Sequence, residues 1–273
     1  NNINIYCQHY NMEFTINTLS KAEIFSGIFQ NLRTFVDNVN IQFSKDGLNM
    51  QTMDNARVSV FELNIPADWF DEYSCELEDG VVLGISSNIA SKILNARDKE
   101  QQIKFTYENS KKDHLYVDFS TTNKTKTIFD KSFEMPLVDM DEETLQIPEI
   151  EYSAEFSLNS SIFASLINQL KMFGETLEIA CSEENITLYS HSADNGKMSV
   201  QIKNDDLTEF SIVEDESLNL SFSLHYLHNI CSYQKISKEI SIHLCDNFPL
   251  KIEYDLGNES YIHFYLAPKM NDD

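Results

Sequence analysis

Apolar side chains recur at three- and four-residue intervals in two well-separated stretches of the chain. Ile24, Phe25, Ile28, Phe29, Leu32, Phe35 and Val36 make one stripe, and Ile162, Phe163, Leu166, Ile167, Leu170 and Phe173 make the other. Such spacing places the apolar groups on one face of a helix, so each stretch predicts an amphipathic helix. After each stripe the period changes to two. SKDGLNMQTM (Ser44 to Met53) and SEENITLYSHSA (Ser182 to Ala193) alternate apolar and polar residues as half-buried strands do. Each then runs into nearly the same phrase, DNARVSV at Asp54 to Val60 and DNGKMSV at Asp194 to Val200.

The agreement continues downstream. SSNIASKILNAR (Ser86 to Arg97) and SLHYLHNICSY (Ser223 to Tyr233) each predict a short amphipathic helix. Strands follow in both places, IKFTYENSKKDHLYVDFS in one and ISIHLCDNFPLKIEYDLGNESYIHFYL in the other. A period near half the chain points to two copies of one domain and not to a solenoid of short repeats. A length of 273 residues suits two domains of ordinary size.

The segment EMPLVDMDEETLQIPEIEY (Glu134 to Tyr152) joins the copies. Its acidic run, Asp139, Asp141, Glu142 and Glu143, is that of a solvated linker. Leu137, Val138, Leu145 and Ile147 stand in the same segment, however, and Pro136 and Pro148 bias their neighbours toward extended backbone. An ordered crossover on the surface, with apolar side chains docked inward, is expected. The expected divisions are an N-terminal extension at 1–11, domain one at 12–136, the connector at 137–151 and domain two at 152–273.

Composition narrows the chemistry. With 42% hydrophobic, 23% charged and 11% aromatic residues the chain is globular and not disordered. No apolar run is long enough to span a bilayer, and NNINIYCQHY lacks the basic and apolar parts of a secretory signal. An intracellular protein with no membrane partner is expected, and the sequons at Asn123, Asn159, Asn185 and Asn258 then carry no meaning. Cys7, Cys75, Cys181, Cys231 and Cys245 show no CxxC spacing, which argues for free thiols. His225, His228 and Cys231 drift around a helix, so no metal is expected there. A phosphate loop, a GxSxG elbow and an HExxH motif are all missing from the sequence. The 44 acidic residues make any single carboxylate pair uninformative. The expectation is binding without catalysis, with no cofactor.

Four segments carry a resemblance: GLNMQTMDNARVSV, LQIPEIEY after the acidic connector, FPLKIEY (Phe248 to Tyr254) and YLAPKM (Tyr265 to Met270). In order and spacing, from about Met12 to Met270, the chain resembles the DNA sliding clamps of the proliferating cell nuclear antigen family. The resemblance implies an α+β DNA-clamp fold of two similar domains, each with a curved antiparallel sheet outside and two helices inside. It further implies that three subunits close a pseudo-sixfold ring around double-stranded DNA without reading its sequence. The implied partners are a clamp loader, DNA polymerase, and PIP-motif proteins such as flap nuclease and ligase, in replication and repair. The implied place is the nucleus, or the viral replication site, since an Asn- and Ile-rich vocabulary suits an AT-rich protist or viral genome.

Site residues follow from the same resemblance. Strands near Ile128 to Met135 and near Gly196 to Lys203 would pair between subunits, with Ile128, Phe133, Met135, Gly196, Met198 and Val200 at the interface. Partner motifs with aromatic anchors would enter a pocket beneath the connector. Its residues would be Met53, Arg57, Val58, Val60, Leu145, Ile147, Pro148, Pro249, Tyr265, Ala267 and Pro268. Arg57 replaces a smaller polar residue common in the family. The basic positions matching the DNA channel are Arg33 and Lys92, then Lys21, Arg97, Lys171 and Lys235. Ser165, Asn168 and His225 stand where arginine is usual. The family's lysine for ubiquitin-like modifiers is replaced by Ser182 and Glu183 after Cys181, so no modification is expected there.

Net charge complicates the DNA reading. At −24 the chain repels DNA in bulk, but screening confines exposed charges to a reach of about 8 Å. Local placement therefore decides, and contacts to phosphates would be blind to sequence. Two other readings share the features above. One is a subunit of a heterotrimeric clamp, of checkpoint type or among unlike clamp subunits. The other, a monomeric or dimeric factor holding DNA by charge, is disfavoured by the acidic balance.

Overall fold

The computed structural model describes residues 11–122, 127–141, 145–148 and 150–269. Nearly all of the expected N-terminal extension, with Cys7, Asn123, Glu142, Glu143 and Met270, lies outside the described residues. The first half of the chain runs β1 (Met12–Ile16), α1 (Leu19–Leu32), β2 (Asn38–Ser44), β3 (Gly47–Met53), β4 (Ser59–Pro66), β5 (Glu72–Cys75) and β6 (Val81–Ser86). It continues with α2 (Ser87–Asn95), β7 (Gln102–Tyr107), β8 (His114–Ser120) and β9 (Lys131–Pro136). The second half repeats that order: β10 (Ala154–Asn159), α3 (Ser160–Leu170), β11 (Thr176–Cys181), β12 (Asn185–Ser192), β13 (Gly196–Lys203), β14 (Glu209–Ile212) and β15 (Leu218–Ser223). It ends with α4 (Leu224–Ile230), β16 (Glu239–Leu244), β17 (Leu250–Gly257) and β18 (Ser260–Leu266).

The repeat extends to strand order. In the first half the strands lie β5-β1-β7-β8-β9 and β4-β3-β2-β6, and in the second β14-β10-β16-β17-β18 and β13-β12-β11-β15. The registered pairs are antiparallel, for example Phe14 opposite Phe105 and Phe156 opposite Ile242. One pairing breaks the symmetry between the halves. β18 lies beside β4, whereas their counterparts β9 and β13 each have one strand neighbour among the described residues.

Packing divides the chain into two compact units that interleave. Residues 11–33, 37–50 and 64–141 form one, and 34–36, 51–63 and the chain from 145 onward form the other. This revises the first apolar stripe. Phe35 and Val36 keep helical spacing, yet α1 ends at Leu32 and Phe35 packs at 6.0 Å against Phe61 and Phe264 of the second unit. The stripe spans two cores, which spacing alone cannot separate.

Each core is built from alternation on strands and stripes on helices. In the first unit Phe14 of β1 stacks on Phe105 at 4.8 Å and meets Phe25 of α1 at 5.6 Å. In the second, Phe61, Tyr233, Tyr254 and Phe264 form a buried aromatic group, with the Tyr254 hydroxyl donating to the Ile230 carbonyl at 3.1 Å. Asn159 caps α3, its Oδ1 accepting from the amides of Ser161 at 3.0 Å and Ile162 at 3.1 Å.

Other sheet edges are short or covered. β5 and β14 have four residues each. Beside β6 runs the start of the connector, where the Val138 amide donates to the Gly84 carbonyl at 2.8 Å and Leu137 bridges Ile85. Beside β15 runs the segment after β18, where the Lys269 amide donates to the Ser221 carbonyl at 2.7 Å. The expected surface crossover is thus ordered at its start, with Leu137 and Val138 half-buried.

Gly84 makes the connector's approach possible, because a Cβ there would overlap the Val138 carbonyl. Replacing Gly84 with Ala should lower stability by about 1–3 kcal/mol, in the range of overpacking changes. Hydrogen exchange at the Val138 amide should accelerate in the variant; unchanged exchange would mean the connector does not depend on this contact.

Candidate functional site

The phrase DNARVSV forms a loop organised by its first residue. All four amides from Ala56 to Ser59 donate to Asp54. Its carboxylate accepts from Ala56 at 2.9 Å, Val58 at 2.7 Å and Ser59 at 2.6 Å, and its carbonyl accepts from Arg57 at 2.9 Å. The Tyr226 hydroxyl adds a fifth donor at 3.2 Å. Burial of Asp54 and saturation of its oxygens fix the loop as a rigid knuckle between β3 and β4. At its tip Arg57 has φ of 57°, in the left-handed region, which costs a non-glycine residue about 1 kcal/mol.

Of the residues assigned to the partner pocket, Arg57 and Val58 belong to this knuckle and Met53 and Val60 flank it on β3 and β4. Val58 and Val60 are half-buried while Ser59 and Phe61 between and beyond them are buried, so strand alternation turns the two valines away from the core. Tyr265 on β18 is likewise half-buried between buried Phe264 and Leu266. The Ala267 amide donates to the Val58 carbonyl at 3.0 Å, which ties the end of β18 to the knuckle. Met53, Leu145, Ile147 and Pro268 are half-buried, and Arg57, Pro148, Pro249 and Ala267 are exposed. A purely core role for the group is therefore excluded, since all eleven keep access to solvent.

Under Tyr265 lies a polar bracket that sequence reasoning missed. His263 is 8% exposed, and its Nδ1 lies 3.1 Å from Glu62 on β4 and its Nε2 2.9 Å from Glu253 on β17. Tyr261 stacks on the imidazole at 3.8 Å, and the Tyr265 hydroxyl donates to Glu62 at 3.3 Å. Burial pushes Glu62 up, but bonds from His263 and Gln51 outweigh it and hold the carboxyl below its ordinary range. The His263 bond, helped by Lys251, draws Glu253 down to about 2 against the opposing effect of burial. These side chains alternate with core residues along β4, β17 and β18, a pattern that does not show which strands they share.

The basic residues divide by environment. Arg33 caps the C-terminus of α1, and Lys171 holds the matching place on α3; both are exposed, as are Lys92 on α2 and Lys235. Lys21 is instead engaged, its Nζ donating to the Trp69 carbonyl at 2.5 Å and lying 5.4 Å from that ring. Arg97 has a side chain only 3% exposed and braces α1 through Glu23 at 2.9 Å and Ser26 at 3.1 Å. Its guanidinium also donates to the Gln101 carbonyl at 2.9 Å, which leaves little for an external phosphate.

On α3 and α4, Ser165, Asn168 and His225 are exposed, and Asn168 Oδ1 lies 2.7 Å from His228 Nδ1. Burial, with the charges of Lys171 and His225, keeps His228 below the ordinary histidine value. Cys231 is buried while His225 and His228 are exposed, so the three do not converge. A cleft of about 240 Å³ opens beside the knuckle, lined by Phe35, Asn55, Tyr226 and Asn229 among others.

The strands assigned to the subunit interface are the free edges β9 and β13. Phe133, Met198 and Val200 are half-buried, as is Ile128 just before β9, and Gly196 is exposed at the start of β13 with φ of 80°. Met135 points into its own core at 1% exposure, so at this edge it offers backbone and not side chain. Phe129, which the sequence reading passed over, is 72% exposed beside β9. Its carbonyl accepts from Gln101 Nε2 at 2.8 Å, which steadies the segment that presents the ring.

Comparisons with known proteins find similarity along nearly the whole chain. Residues 15–144 match the family profile described as proliferating cell nuclear antigen, N-terminal domain, and residues 146–269 match its C-terminal domain. A Chaetomium thermophilum protein named proliferating cell nuclear antigen is 29% identical over 260 residues, covering 93% of this chain and 98% of the relative. Proliferating cell nuclear antigen 2 of Drosophila melanogaster is 27% identical over 254 residues, covering 93% and 97%.

The carboxylate bracket gives a pH prediction. Glu253 titrates below its ordinary value of 4.5, at about 2, so the stability it contributes is complete above pH 4.5 and is lost as pH falls toward 2. Thermal melts should therefore show wild type losing stability over that window more steeply than Glu253→Gln. Parallel curves for the two proteins would remove Glu253 from the bracket.

Proposed function

The chain belongs to the proliferating cell nuclear antigen family and is a sliding clamp, a processivity factor for DNA replication, and we propose that three copies close on one another as a ring. The observation that carries the proposal is the pair of free edges. Within one chain β18 lies beside β4; by the repeat, β9 of one copy would lie beside β13 of the next. Closure would pair the open backbone donors and acceptors of both edges and cover Phe129. The unlike-subunit alternative is not favoured, because both family profiles and both relatives are those of proliferating cell nuclear antigen.

In such a ring the duplex is held by enclosure, and the side chains facing it need only keep it centred. Arg33, Lys92, Lys171 and Lys235 are the proposed phosphate contacts, with Arg97 and Lys21 serving structure. Few cations against a net charge of −24 favour sliding over tight binding. A clamp loader would open the ring, spending nucleotide energy of its own. The clamp itself acts by binding and needs no cofactor. Its workplace would be the nucleus, or the viral replication site if the source is a virus.

The outer docking site is proposed at Val58, Val60, Tyr265 and Ala267 with Leu145 and Ile147 of the connector. Polymerase, flap nuclease, ligase and other PIP-motif proteins would insert aromatic anchors there in competition. Rigid support from the Asp54 knuckle and the His263 bracket suits the site to receive such anchors without reorganising.

Primer extension on a circular template with the clamp's polymerase and loader tests both surfaces. Ile147→Ala with Tyr265→Ala should cut polymerase stimulation about tenfold or more, since anchor contacts of this kind are worth about 2 kcal/mol. Arg33→Glu with Lys92→Glu should leave motif-peptide binding intact and reduce stimulation most at low salt. Full stimulation by the pocket double variant would refute the docking site.

A further inference from the structure

We infer that Arg57 selects partners, favouring docking motifs that carry an acidic residue beside their aromatic anchors. The inference rests on the docking site proposed above and names the partner chemistry it would prefer. Two observations support it. The first is placement, because Arg57 sits between Ala56 and Val58 at the tip of the knuckle, one residue from the Val58 carbonyl that holds Ala267. The loop's four amides are pinned by Asp54, so the backbone that presents Arg57 beside Val58 is held in place.

The second is that the charge is free. The Arg57 side chain is exposed and meets no carboxylate or hydrogen-bond acceptor among the described residues. In a chain with 44 acidic and 20 basic residues, most surfaces repel an acidic peptide, and the exposed guanidinium next to Val58 offers one a partner. Arginine offers a planar fork of donors matched to a carboxylate, so the discrimination would favour Asp or Glu over neutral residues of the same size.

Fluorescence anisotropy on the full-length clamp tests this with labelled peptides that share one aromatic motif. Members of the set differ by a single Asp, or the isosteric Asn, placed in turn at each position flanking the anchors. At least one Asp peptide should bind about three- to fivefold tighter than its Asn partner at physiological salt, as an exposed charge pair allows, and the preference should vanish near 0.5 M salt. Arg57→Gly should abolish the preference for Asp over Asn, with the melting temperature unchanged or slightly raised. Equal binding of every Asp and Asn pair, or a preference that survives Arg57→Gly, overturns the inference. Tyr265→Ala separates the two readings: loss of both peptides with no charge preference in wild type condemns Arg57 alone, whereas undiminished binding condemns the docking site and Arg57 with it.

Discussion

Backbone hydrogen bonding at the strand edges is the constraint on which the arrangement turns. A sheet built from an internal repeat makes the same edges twice, and every edge exposes a row of unpaired donors and acceptors. Here four edges are handled locally, by four-residue strands at β5 and β14 and by chain laid beside β6 and β15. Two more, β18 and β4, lie against each other. What remains is β9 and β13, six and eight residues long, which are the repeat's own counterparts of that internal pair. A chain that solves one junction internally already carries the two faces of the next.

The same economy explains the outer site. The chain that covers the β15 edge is the tail after β18, and on its way there it is tied to Val58 by the Ala267 amide. Covering an edge and shaping the proposed docking rim are therefore one structural act. The Asp54 knuckle and the His263 bracket stiffen the two strands beneath, so that half-buried Val60 and Tyr265 stand on a fixed floor. Apolar groups held half-open in this way cost little to desolvate and lose little entropy when a partner arrives.

Much of this was legible in the sequence because it rests on periodicity. Two stripes and two shorter amphipathic segments were enough for four helices, the alternating runs for a duplicated order of strands, and the duplicated phrase marked the equivalent turns. Side-chain fate was less legible, because exposure depends on partners distant in the chain. Phe35 keeps α1's spacing but joins Phe61 and Phe264 of the other unit. Arg97 looks like a solvated helix-end cation but is consumed by Glu23, Ser26 and nearby carbonyls. The two glutamates around His263 lie 191 residues apart in the chain, on Glu62 and Glu253, and no local pattern unites them. Resemblance to the family nominated the rim residues, but the left-handed backbone of Arg57 and its exposed side chain are visible only in the geometry.

The central claim is that these free edges belong to one another in different copies of the chain. Sedimentation equilibrium or mass photometry on the purified protein at physiological salt tests it directly. The account predicts a single species near three times 31.5 kDa that persists on dilution. A species near 31.5 kDa at micromolar concentration would contradict it, because β9 and β13 would then lack the partner that their pairing requires.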